Sequence, residues 1–259
     1  MNREWRRRGF RILYVFLLLA VCSQKAGGTK PNAVPKNTAG QSSAGQEYTA
    51  GEVQPADAPA EEKTKEEIPE AGEKKKIALT FDDGPSASCT PVLLDGLKER
   101  DVQATFFLIG ENIERGENAK IVRRMYEEGH LIGNHTYHHV EITRVGDETA
   151  YQEIKMTNEV IEAVTGEPVE YMRPPFGAWQ KKLEQRIHVL PVMWTIDPLD
   201  WTTENIDEIV NKVVTEAEED DIILLHDCYM SSVKAALRIV DLLEAEDFEF
   251  VTVDELILE

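Results

Sequence analysis

Seven short apolar runs punctuate the C-terminal part of the chain, at positions 77–81, 105–109, 130–133, 171–172, 192–196, 222–225 and 248–253. Between most of them lie stretches whose apolar residues recur every three or four positions, at 91–99, 119–128, 151–164, 206–218 and 232–245. Such runs suit strands buried on both faces, and the three-to-four spacing suits helices with one buried stripe. Alternation of the two predicts a parallel sheet wrapped by helices, an α/β fold. No internal repeat is evident.

The beginning of the chain follows other rules. Residues 1–22 combine a basic start (Arg3, Arg6, Arg7, Arg8 and Arg11) with a short apolar run from Ile12 to Val21. A membrane span needs about 20 apolar residues, so this segment has the shape of a secretory signal. Leu19-Ala20-Val21-Cys22 resembles a bacterial lipoprotein box, with Val21 where a small residue is usual. Lipid attachment at Cys22, cleavage shortly after it, and retention as an uncleaved membrane anchor all stay open. Arg7-Arg8-Gly9-Phe10 also looks like part of a twin-arginine signal, although a basic start yields such pairs by chance. Residues 23–74 are rich in Gly, Ala, Pro, Gln, Thr, Glu and Lys and nearly free of large apolar side chains. They cannot bury enough surface to offset the entropy of ordering, which makes them a flexible tether. The expected organisation is an exported, monomeric protein with one globular domain, residues 75–259, held at the cell surface.

The 259 residues carry a net charge of −20. That excludes a nucleic-acid partner as the natural reading, since phosphate recognition needs a basic patch. Part of the acidity, such as Glu216, Glu218, Glu219, Asp220 and Asp221, reads as solvated helix face.

The chemistry gathers at the ends of the apolar runs. Thr80-Phe81-Asp82-Asp83-Gly84 closes the first, and His135-Thr136-Tyr137-His138-His139 follows the third. Asp-Asp-Gly alone is an ordinary turn, and a His pair four apart is common on solvated helices. Three of the six histidines within five positions, however, favour metal binding. On one helix turn, His135 and His139 would face the same way. A carboxylate from the aspartate pair then completes three protein ligands and leaves positions open, as a catalytic site requires. The second aspartate is free to accept a proton. Further on stand Arg173-Pro174-Pro175-Phe176-Gly177, Asp197-Pro198-Leu199-Asp200-Trp201 and Leu224-Leu225-His226-Asp227, each beside an apolar run. These positions are where α/β barrels place their active sites.

The five motifs, in this order from Lys76 to Glu259, resemble the polysaccharide deacetylases of the NodB-homology type, carbohydrate esterase family 4. The resemblance implies an irregular (β/α)7 barrel and one divalent metal ion, zinc first, on Asp83, His135 and His139. It implies Asp82 as general base, Arg173 as the cation that keeps Asp82 ionised, His226 as general acid, and Asp200 as its orienting carboxylate. It also implies that the backbone N–H of Phe176 holds the oxyanion, and that Trp201 and Leu224 wall a pocket for the acetyl methyl. The family usually has Tyr in place of Phe176, so a hydroxyl contact to sugar is absent here while the main-chain donor remains.

The expected activity is N-deacetylation of a cell-wall glycan, N-acetylglucosamine of peptidoglycan before N-acetylmuramic acid. Acetylxylan esterase and chitin oligosaccharide deacetylase share the chemistry. A catalytically inactive glycan-binding module is the alternative from another class, against which the intact base, acid and ligand set speaks. Cys89 and Cys228 follow two of the motifs closely, so both are expected on the catalytic face. A bridge and two free thiols both remain open, since a disulfide needs Cα atoms within about 7 Å.

Overall fold

The computed structural model describes residues 74–258. The signal or anchor at 1–22, Cys22 and the tether as far as residue 73 lie outside the described residues. In chain order the elements are β1 (Lys75–Asp82), α1 (Thr90–Glu99), β2 (Thr105–Leu108), α2 (Gly110–Glu114), α3 (Asn118–Glu127), β3 (Leu131–Asn134), α4 (Asp147–Thr165) and β4 (Tyr171–Met172). They continue with β5 (Leu190–Pro191), α5 (Ile206–Glu216), β6 (Ile222–His226), α6 (Met230–Glu244), β7 (Phe248–Val251) and α7 (Val253–Ile257), and 3-10 turns occupy Pro175–Gly177, Lys181–Gln185 and Asp200–Thr202.

β1 is the strand around which the rest is organised. It is buried from Ile77 to Asp82 and pairs in parallel with β2, β6 and, over its first half, β7. Its side chains alternate between two environments, as the period of two demands. Ile77, Leu79 and Phe81 join Leu93, Leu94 and Leu97 of α1 and Val233, Ala236 and Val240 of α6 in the main core. Ala78 belongs to a smaller cluster contributed mostly by strands, with Phe107, Tyr171, Val192 and Val253, and this is the barrel interior. Thr80 and Asp82 lie on the same inner face, where polar side chains replace apolar ones.

All pairings are parallel, in the order β5–β4–β3–β2–β1–β6, and the sheet curls into the irregular barrel that the motifs implied. The fifth strand departs from expectation. It lies at Leu190–Pro191, and the apolar run at 192–196 crosses between the two sheet edges instead of lying along one. The N–H of Val192 still bonds Met172, but Ile196 forms a single parallel bridge with Ile223 of β6. The Arg173 guanidinium takes the carbonyls of Val192 and Met193, and that capture removes the acceptors a longer strand would use. The five expected helices occur as α1, α3, α4, α5 and α6; α2 and α7, five residues each, escape a periodicity test because they offer barely more than one turn. Among the described residues no helix is long and apolar enough to cross a membrane.

Candidate active site

Parallel strands put their C-terminal ends on one edge, and that edge collects the polar motifs. Asp82 ends β1 in register with His226 at the end of β6, and Asn134 ends β3 just before His135. After Asp82 the chain turns sharply: Asp83 is left-handed, with φ 72°, a conformation Asp tolerates better than most residues. Asn112 of α2 holds this turn by donating to the Asp83 carbonyl at 2.8 Å. Gly84 has no room for a side chain, since a Cβ there would stand 2.5 Å from the Asp227 carboxylate.

The segment 135–139 is a loop and not the helix turn expected from the His-x-x-x-His spacing. Left-handed residues at Thr136 (φ 63°) and His139 (φ 55°) bring the two imidazoles together. The turn is held from several sides. The N–H groups of Gly110 and Glu111, first in α2, donate to the carbonyls of Thr136 and Tyr137, satisfying donors that a helix start leaves unpaired. Asn134 Oδ1 accepts the N–H of Thr136 at 2.7 Å, and Glu153 of α4 accepts those of Tyr137 and His138. His138 itself pairs its ring with Glu153 at 2.8 Å, away from His135 and His139.

Asp83, His135 and His139 present ligand atoms all within 4.8 Å of one another. Nδ1 of His135 lies 2.6 Å from the carbonyl oxygen of Arg173, which can only accept, so Nδ1 carries the proton and Nε2 is a lone pair. Nε2 of His135 and of His139 each stand 3.4 Å from Asp83 Oδ1, a buried oxygen with no hydrogen-bond partner. Burial and the neighbouring His135 hold the His139 pKa below its usual value, in the neutral form a ligand needs. Two imidazole nitrogens converging on an orphaned carboxylate oxygen is the arrangement a divalent cation satisfies. The donor set fits the metal the motifs imply.

Asp82 and Arg173 form a buried pair. Nη1 of Arg173 donates to Asp82 Oδ1 at 2.9 Å and to Thr80 Oγ1 at 2.7 Å, and the guanidinium lies 4.4 Å from the centre of the Phe107 ring. With the Val192 and Met193 carbonyls also bonded, this fully buried cation has partners on every side, which offsets part of its desolvation cost. Asp82 Oδ2 points the other way, 3.8 Å from His135 Nε2.

Facing them is His226. Asp200, buried, holds it twice: Oδ1 meets Nδ1 at 2.8 Å and Oδ2 accepts its backbone N–H at 2.9 Å. Burial opposes the imidazolium, but the Asp200 hydrogen bond and charge, with Asp82 and Asp83 behind them, outweigh it and raise the pKa to about 9. Nε2 of His226 stands 4.0 Å from Asp83 Oδ2, so a protonated imidazole and the candidate metal ligands share one space.

That space is a cavity of about 450 Å³, lined by Asp82, Asp83, His135, His139 and His226 and walled by Phe176, Trp201 and buried Leu224. The structure therefore gathers every site residue expected from the sequence: the lining residues directly, Arg173 and Asp200 behind them. Phe176, left-handed at φ 60°, projects into solvent with its ring 5.0 Å from that of His139. Trp194, Asp197, Leu199 and Tyr229 complete the lining and were not foreseen. Asp197 and Leu199 stood in the Asp-Pro-Leu-Asp-Trp motif with no role of their own; Tyr229 follows His226 by three positions. Cys89 and Cys228 are indeed neighbours, as free thiols, with Cys89 Sγ 3.5 Å from the Cys228 carbonyl oxygen.

The polysaccharide deacetylase family profile matches residues 70–193, which carry Asp82 through Phe176 of the site. Over 190 residues the chain is 37% identical to the peptidoglycan-N-acetylglucosamine deacetylase PgdA of Listeria monocytogenes, covering 73% of this chain and 40% of that protein. The chain thus spans less than half the length of that relative. A peptidoglycan-N-acetylglucosamine deacetylase of Bacillus cereus is 38% identical over 186 residues, 69% of this chain and 67% of its own length. Among solved structures, that of the peptidoglycan deacetylase PdaC from Bacillus subtilis superposes with a TM-score of 0.68 at 36% identity, over 71% of this chain and 90% of that one. PdaC is described as a peptidoglycan-N-acetylmuramic acid deacetylase.

Proposed function

This chain belongs to the polysaccharide deacetylase family, and we propose that it hydrolyses the N-acetyl group of N-acetylglucosamine in peptidoglycan. The observation that carries this reading is the meeting, in one cavity, of a three-residue metal-ligand set with a carboxylate on one side and a carboxylate-backed imidazole on the other.

An amide needs a nucleophile made at neutral pH, a polarised carbonyl and an acid for the departing nitrogen. Asp83, His135 and His139 would hold one divalent ion, zinc before other divalent transition metals, which when bound would supply the Lewis acidity that acidifies water and polarises the carbonyl. Asp82 accepts the proton of the attacking water through Oδ2, while the Arg173 guanidinium holds Oδ1 at 2.9 Å. His226 delivers a proton from Nε2 to the amine nitrogen, and Asp200 keeps Nδ1 protonated and the ring aimed. The backbone N–H of Phe176 meets the developing oxyanion. Trp201 and Leu224 hold the acetyl methyl. Base and acid occupy opposite electrostatic environments, one beside a guanidinium and one beside a carboxylate, and that difference assigns their roles. Residues 1–22 would export or anchor this domain and residues 23–74 would let it reach into the wall polymer.

The test is acetate release by the full chain from purified peptidoglycan, chitin oligomers and acetylated xylan, with and without a chelator. Release from peptidoglycan that stops on chelation and returns with zinc is expected, and mass spectrometry of the digest should find the free amine on glucosamine. Release unaffected by exhaustive chelation overturns the metal assignment. Acetate from xylan alone overturns the substrate, and glycan binding without acetate from any polymer overturns catalysis.

A further inference from the structure

Glu153 takes no part in the chemistry above, yet its buried carboxylate directs its contacts to the loop that carries His135 and His139. Oε2 accepts the backbone N–H groups of Tyr137 (3.1 Å) and His138 (2.8 Å), and Oε1 meets the His138 ring at 2.8 Å. These two N–H groups lie between Thr136 and His139, the left-handed residues on which convergence of the imidazoles depends. A left-handed backbone at a β-branched residue persists only where surrounding contacts over-determine it. α4 supplies a second set of them: the Ile154 carbonyl and Asn158 Oδ1 both accept from Asn134 Nδ2, whose own Oδ1 holds the Thr136 N–H. The geometry points to Glu153 as a positioning residue for the metal centre: by accepting the Tyr137 and His138 N–H groups it fixes the turn that aims Nε2 of His135 and His139 at Asp83.

This inference rests on Asp83, His135 and His139 being metal ligands, so the unsubstituted full chain is the first sample. Zinc affinity is read by competition with a chromophoric chelator, and ligand geometry by the visible spectrum of the cobalt(II) form. Glu153→Ala should bind zinc about 10–100-fold more weakly, the range typical of losing a group that orients ligands, whereas Glu153→Gln, whose amide oxygen accepts both N–H groups, should stay within about threefold. The cobalt spectrum should change in Glu153→Ala and not in Glu153→Gln. His138→Ala should resemble Glu153→Gln, because the ring is held by the carboxylate and does not hold the turn. If Glu153→Ala does not fold, Glu153→Asp, which withdraws the carboxylate by one methylene, takes its place with the same expected loss. A folded Ala or Asp variant with parental zinc affinity and cobalt spectrum overturns the inference, leaving Glu153 only a packing role. A Gln variant as weak as Ala overturns the claim that acceptance of the two N–H groups is what matters. Failure of the unsubstituted chain to bind either metal would strike the ligand assignment itself, and is distinguished by that sample alone.

Discussion

Arg173, Asp82, Asp200 and His135 are almost entirely out of water, whereas Phe176 and Trp201, on the same cavity, are 68% and 56% exposed. In the first group Asp82, His135 and Arg173 sit at or just after strand ends, and Asp200 reaches the end of β6 from the 3-10 turn it shares with Trp201; each side chain is tied to a partner: guanidinium to carboxylate, carboxylate to imidazole, imidazole to main-chain carbonyl. The second rides on 3-10 turns entered or crossed through left-handed residues, Phe176 itself and Leu199 before Asp200. The comparison teaches a division between floor and rim. Under the proposed function, the strand ends, with Asp200 reaching in from its turn, would fix the positions where protons move, and the exposed turn residues would carry the surface that meets the sugar. Asp200 and Trp201 are adjacent in sequence and fall on opposite sides of the division.

The larger expected effect is on the floor. Asp200→Asn should lower kcat by about 100-fold or more, the scale of losing a positioned general acid, with little change in KM. The sign of its pH dependence follows from the pKa. As the proposed acid, His226 would act when protonated, so activity should be present below its pKa, raised to about 9 largely by Asp200, and should be lost as pH rises through it. A cation at Asp83 opposes that rise, which places the alkaline limb at or below this value. Removing the Asp200 charge should move the limb to lower pH. An unmoved limb breaks the link between Asp200 and the acid.

On the rim the effect should be smaller and of another kind. Trp201→Ala should reduce kcat/KM on chitin oligomers by about tenfold, equivalent to about 1.4 kcal/mol, chiefly through KM and with an unchanged pH profile. A shifted pH profile in this variant would erase the boundary between floor and rim.

The sheet and most of the site were legible in the sequence because both depend on local patterns: apolar runs at 77–81 and 222–225 became β1 and β6, and the motif residues followed at the strand ends. What stayed hidden depends on contacts between distant segments. His135 and His139 do converge, but not on the helix turn their spacing suggested, since the left-handed turn that unites them is held by α2 and α4. The run at 192–196 has strand composition, but Arg173 occupies its carbonyls. Glu153 shares α4 with exposed Glu148, Glu159 and Glu162, and only its place on the helical stripe of Ala150, Ile154, Thr157 and Ile161 distinguishes it along the chain.

The account depends most on the two adjacent aspartates having separate duties: Asp82 bound to a guanidinium as base, Asp83 facing two imidazoles as ligand. Metal content and turnover measured side by side in Asp82→Asn and Asp83→Asn test this directly. Asp82→Asn should keep near-stoichiometric metal while turnover falls by about 10²–10⁴-fold, the contribution of a general base, and Asp83→Asn should lose metal as well as activity. Equal metal loss in the two variants would contradict it.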